Sequence, residues 1–144
     1  MSSLFTAVNK RNKATIISLD IKEMKEGEIR KTLWDGKQVA VLYRSQHIVN
    51  QIRTQNNVKE TGVEMLNPIS RSILPEYFVF INRGDSGNCP LFYRANTLKD
   101  ICSGKTYNTM GNLVGMKNKN KTSYQIEVPP HTFFDLQIRF GQWK

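Results

Sequence analysis

Reactive side chains are few in this chain of 144 residues, which carries two cysteines, Cys89 and Cys102, and two histidines, His47 and His131. A thiol pair can be a crosslink, a redox couple or two unrelated buried groups. The redox option lacks a C-x-x-C spacing, and neither cysteine follows a turn that would set it at a helix N-terminus and lower its pKa. The four residues together could bind zinc, but no C-x-x-C or H-x-x-x-H spacing supports such a site. Asp85, Ser86, Asp100 and Ser103 flank the cysteines. A hydrolytic serine needs a base within reach, and no histidine lies near these four in sequence. Residue types alone therefore leave the thiols as the chemical feature to be explained.

The elements that position them read as β-structure. Ala14–Asp20 is β-branched and ends in a polar turn at Gly27. Glu28–Trp34 and Gln38–Arg44 flank Asp35-Gly36, a two-residue hairpin signal. Ser45–Gln55 spaces Ile48 and Ile52 as a short amphipathic helix would, and the polar stretch up to Arg71 reads as an excursion loop. Tyr77–Asn82 is a strongly apolar strand running into the glycine-rich segment that ends at Cys89 and Pro90. Leu91–Tyr93 resumes as a strand, a second loop holds Cys102, Gly104 and Gly111, and Tyr124–Val128 and Phe133–Phe140 close the chain as strands. Many short strands with turn signals predict one all-β domain.

The formal net charge is +9, from 21 Lys and Arg against 12 Asp and Glu. An acidic protein or an anionic lipid surface fits that charge, with Lys117, Lys119 and Lys121 as candidate binding residues. Nucleic acid is disfavoured, because neither this cluster nor Lys10–Lys13 is interleaved with aromatics. Met1–Lys13 is a polar, basic tail with no apolar core of signal-peptide length, and no stretch approaches the roughly 20 apolar residues of a membrane span.

Three stretches resemble the soluble head of the Rieske iron-sulfur proteins of cytochrome bc complexes. The first is Leu19-Asp20-Ile21 with Gly27 and then Trp34-x-Gly36-Lys37-x-Val39-x-Val41-x-x-Arg44-Ser45, similar to the family's W-x-G-K-P-V-x-V-x-x-R opening, with Gln38 in place of the proline. The last is Gln125-Ile126-Glu127-Val128-Pro129-Pro130, similar to its N-L-E-V-P-P ending. Between them, Gly84-Asp85-Ser86-Gly87-Asn88-Cys89 aligns with C-T-H-L-G-C, and Asp100-Ile101-Cys102-Ser103-Gly104-Lys105 with C-P-C-H-G-S.

The resemblance implies an antiparallel β-sandwich over 14–144, with a small cluster-type subdomain at about 82–123 and one short helix in an insertion. It implies that Cys89 and Cys102 form the disulfide that clamps the two loops, stabilising them by roughly 3 kcal/mol. A Rieske cluster needs two thiolates on one iron and two imidazoles on the other. Gly84 and Asp100 stand at the thiolate positions, Ser86 and Ser103 at the imidazole positions. No cofactor is therefore expected. The proline-rich cap of the family is replaced by Asn120-Lys121-Thr122-Ser123, which also contains an N-glycosylation pattern. Tyr107, Trp34 and Trp143 read as packing residues.

The function expected is a non-redox structural or interaction component, without enzymatic activity, beside a membrane-bound respiratory complex. A disulfide further implies an oxidising compartment, a periplasm or intermembrane space. The rival expectations are a thiol–disulfide redox protein and a basic binding module.

Overall fold

The computed structural model describes residues 17–56, 66–84, 87–115 and 125–141. Ser86, Lys117, Lys119, Lys121, the Asn120 triplet, Trp143 and the N-terminal tail lie outside them. The elements in chain order are β1 (Ile17–Asp20), β2 (Ile29–Trp34), β3 (Lys37–Tyr43), α1 (Gln46–Asn56), β4 (Tyr77–Ile81), β5 (Leu91–Arg94), β6 (Thr97–Asp100), β7 (Thr106–Asn108), β8 (His131–Phe134) and β9 (Gln137–Phe140). They form three antiparallel three-stranded sheets, ordered β1-β9-β8, β2-β3-β4 and β5-β6-β7.

The run YFVFI lacks the alternation of a half-exposed strand because β4 is buried on both faces. Val39, Val41, Val79 and Ile81 turn one way and pack on Ile138 and Phe140 of the β1-β9-β8 sheet. Ala40, Leu42, Phe78 and Phe80 turn the other way and pack on Leu91, Leu98 and Tyr107 of the β5-β6-β7 sheet. The register carries this through, pairing Val41 with Val79 and Ala40 with Phe80. The β2-β3-β4 sheet is thus the middle layer of the molecule. Each large side chain buried there contributes roughly 1.5–3 kcal/mol.

Three hairpins turn on two consecutive residues of positive φ: Asp35-Gly36, Ala95-Asn96 and Asp135-Leu136. That geometry matches the right-handed twist of the flanking strands. Only the first carries a conventional sequence signal, which is why β6 and β7 are found where a continuous loop was expected. In the insertion, α1 starts from Ser45, whose Oγ accepts the Ile48 N–H at 3.3 Å. It buries Val49 and Ile52.

One expected strand is corrected. Residues 125–128 make no ladder: Gln125 bridges Asn112 in isolation, the Ile126 N–H donates to Gly111 O, and Glu127 O accepts the Ile81 N–H. Neighbouring residues bond to different layers, so the segment crosses between sheets instead of joining one. No helix among the described residues is long and apolar enough to cross a membrane.

Candidate functional site

Two loops meet beyond the ends of β4 and β6. The first is closed at its base by Asn82, whose Oδ1 accepts the Leu91 N–H at 3.1 Å. Its backbone N–H and Nδ2 both donate to Gln38, at 2.9 and 2.6 Å, which fixes the loop to β3. The second loop folds back on Asp100. The Gly104 N–H donates to Asp100 O at 2.7 Å, the Asp100 N–H donates to Lys105 O at 2.8 Å, and Asp100 Oδ1 accepts the Cys102 N–H at 3.0 Å. Two backbone bonds and one carboxylate-to-backbone bond of this kind hold a tight turn without regular structure. The Cys89–Cys102 disulfide joins the loops, with Cα atoms 6.1 Å apart across 13 positions. Cys89 is half-buried and Cys102 exposed.

Beneath the bridge, Gly84 and Asp100 face each other. Asp100 is 1% exposed. A side chain at residue 84 would run directly into Asp100 Oδ2, with Asp100 Cγ at 3.1 Å and the Tyr107 hydroxyl at 3.2 Å. Glycine is required here for room. The carboxylate and the phenol converge on the same small volume, so Tyr107, itself fully buried, packs beneath the loops as the sequence predicts. Ser103 is exposed and its Oγ accepts the Lys105 N–H at 3.2 Å, an internal turn contact.

A feature the sequence reading passed over lies at the other ends of β4 and β7, away from the two loops. Arg44 is 1% exposed and uses all its donors. Nε and Nη2 both donate to Thr109 O, at 3.0 and 2.7 Å, and Nη2 also reaches Ser70 O. Nη1 donates to Ser72 Oγ and Pro75 O at 2.8 and 3.0 Å. The guanidinium lies 5.0 Å from the Phe78 ring centroid. Burial, with Arg71 nearby, pushes its pKa down to about 9, so it remains charged at neutral pH. Arg44 thereby ties the end of β3, the 66–76 segment and the turn after β7 together. Gly111 completes this corner, because a Cβ there would lie 2.6 Å from Arg71 Nη1 and 2.9 Å from Phe78 Cζ.

The four-residue zinc arrangement is not assembled. His47 sits exposed on α1, 3.2 Å from Gln51 Nε2. His131 is buried on β8, with Nδ1 2.8 Å from Pro129 O, and desolvation lowers its pKa. A different trio does come together: the two sulfurs and an Asp100 oxygen all lie within 4.8 Å of one another. Nor do Asp100 and Ser103 form a hydrolytic pair, since one is buried and the other exposed with its hydroxyl engaged in its own turn.

The chain's fold is also found in known structures. The chain is similar to one from a hyperthermophilic respiratory Complex III, with a TM-score of 0.57 at 12% identity, over 95% of this chain and 88% of that one. It is similar to the quaternary ammonium Rieske monooxygenase complexed with L-carnitine, with a TM-score of 0.59 at 9% identity, over 97% of this chain but only 36% of the other. The fold is Rieske-like. A third similar chain is the ferredoxin of carbazole 1,9a-dioxygenase from Nocardioides aromaticivorans IC177, with a TM-score of 0.50 at 10% identity, over 88% of this chain and 97% of that one. No family model and no curated protein sequence matches the chain.

Proposed function

We propose that this chain is a Rieske-like domain that has exchanged its iron-sulfur chemistry for a packed, crosslinked loop pair, and that it serves as a structural or interaction component. The observation that carries this reading is the Gly84–Asp100–Tyr107 contact. Two thiolate positions that share an iron must converge from opposite loops, and Gly84 and Asp100 do converge. In place of two thiols there is a hydrogen atom and a buried carboxylate. The donor set does not fit a Rieske cluster: the two sulfurs present are bonded to each other, and Ser103 offers a hydroxyl where an imidazole is needed. Ser86 takes the second imidazole position in the sequence.

Loss of quinol–cytochrome c oxidoreduction follows from this reading, and the domain is not an enzyme. Its partner is a protein. Mutual coverage is nearly complete with the Complex III chain and with the dioxygenase ferredoxin, whereas the monooxygenase extends well beyond the matched region. Likeness to the first supports association with a membrane-bound respiratory complex. The disulfide supports an oxidising compartment, periplasm or intermembrane space.

Anaerobic reconstitution with iron and sulfide, followed by metal analysis, visible absorption and EPR, tests the reading. The expected result is iron at background and no cluster signal. A stoichiometric 2Fe–2S centre with Rieske features would overturn it. A subsidiary reading, an acidic docking partner, is favoured by Lys37 and by Arg83, whose guanidinium also pairs with Glu127 at 3.6 Å, both lining an open cleft of about 360 Å³ beside the first loop. Binding that weakens with salt and with Arg83→Glu supports it.

A further inference from the structure

We propose that reduction of the Cys89–Cys102 bridge opens a site for one soft divalent cation, of the zinc class, held by the two thiolates and the Asp100 carboxylate. The proposal does not depend on the partner or the ancestry of the domain, only on the geometry of the loop pair.

The three donors already lie within 4.8 Å of one another. Tetrahedral zinc, with Zn–S near 2.3 Å and Zn–O near 2.1 Å, sets its ligands about 3.5–3.8 Å apart. Two sulfurs freed from a covalent bond must separate to roughly that van der Waals spacing in any case, so reduction moves them toward the metal geometry. Asp100 is preset for the role. The Cys102 N–H holds its Oδ1 at 3.0 Å, an outer contact of the kind that orients a metal-binding carboxylate. Among the described residues no lysine or arginine forms an ion pair with this carboxylate, although it is only 1% exposed. Exposure of Cys102 gives reductant and ion a way in and leaves a fourth position for water.

The steps balance. A dithiol transfers two electrons and two protons to the bridge and becomes a disulfide itself, leaving Cys89 and Cys102 as thiols. The cation then displaces both thiol protons to solvent and binds two thiolates and one carboxylate. Two sulfurs and one oxygen suit zinc better than magnesium or calcium.

The full chain, reduced with dithiothreitol and freed of it anaerobically, is titrated with Co²⁺ as the spectroscopic probe. The expected result is one Co²⁺ per chain, with thiolate-to-cobalt charge transfer in the near ultraviolet and intense tetrahedral visible bands, both bleached by Zn²⁺. The oxidised protein should show neither band. Asp100→Asn and Asp100→Ser, each checked for fold in the oxidised form, should weaken Co²⁺ binding about tenfold or more. Cys89→Ser should abolish the charge-transfer band. No charge transfer in the reduced protein overturns the proposal, whether or not the reduced chain keeps its far-ultraviolet dichroism. Equal affinity in wild type and both Asp100 variants also overturns it, since an unstructured thiol pair would behave that way.

Discussion

The two faces of the central β2-β3-β4 sheet are held by different physics. On the face toward β1-β9-β8, Val39, Val41, Val79 and Ile81 meet Ile138 and Phe140, and cohesion is apolar burial. The face toward β5-β6-β7 has its own apolar cluster, but the loop pair at one end of it depends on a disulfide and a buried carboxylate, and the turn at the other end on a fully satisfied guanidinium. A cluster would supply metal–ligand bonds to such loops. Here side-chain crosslinks do the holding, and they make the loop end sensitive to single substitutions that the opposite face would absorb.

Arg44→Met should give the largest loss, about 3–5 kcal/mol in denaturant unfolding, because it strands the carbonyls of Thr109, Ser70 and Pro75 in a buried corner. A loss under about 1 kcal/mol would show that the clamp does not hold the 66–76 segment to the turn after β7. Next in size, Cys89→Ser combined with Cys102→Ser should cost roughly 3 kcal/mol. Amide exchange should rise across 87–105 and stay unchanged in β8 and β9.

Gly84→Ala should cost about 1–3 kcal/mol through overpacking against Asp100, whereas Gly87→Ala, with nothing near its added methyl group, should stay within about 0.5 kcal/mol. Adding Asp100→Ala to Gly84→Ala should recover part of the loss, a favourable coupling readable in a double-mutant cycle. On the opposite face, Ile138→Val should cost only about 0.5–1.5 kcal/mol.

The smallest effect is a pH dependence. Burial lowers the His131 pKa from 6.5, so between that value and its folded pKa the unfolded chain binds a proton that the folded chain refuses. The melting temperature should therefore fall as pH drops below about 6.5, and His131→Gln should flatten that slope.

Much of this contrast is legible in the amino-acid order. The Asp35-Gly36 turn, the unbroken apolar run of β4 and the spacing of Ile48 and Ile52 each map onto one element, because each signal is local. Ala95-Asn96 and Asp135-Leu136 form the same turn with Ala95 and Leu136 at positive φ, which such side chains rarely adopt, so tertiary pairing rather than local preference selects them. The resemblance sets Gly84 and Asp100 at the family's thiolate positions, but their mutual packing is visible only in space. Arg44 belongs to a matched motif, yet its partners lie 26 to 65 positions away, beyond the reach of any local pattern.

The central claim, that these loops are a cluster cradle refilled by side chains, is tested most directly by reversing the refilling. A chain carrying Gly84→Cys, Ser86→His, Asp100→Cys and Ser103→His together is reconstituted anaerobically with iron and sulfide beside the unaltered chain, and EPR is recorded after reduction. The account predicts a Rieske-type 2Fe–2S signal in the four-site variant and none in the unaltered chain. A folded variant that keeps its disulfide and takes up no cluster, or an unaltered chain that gives the same signal, would contradict it.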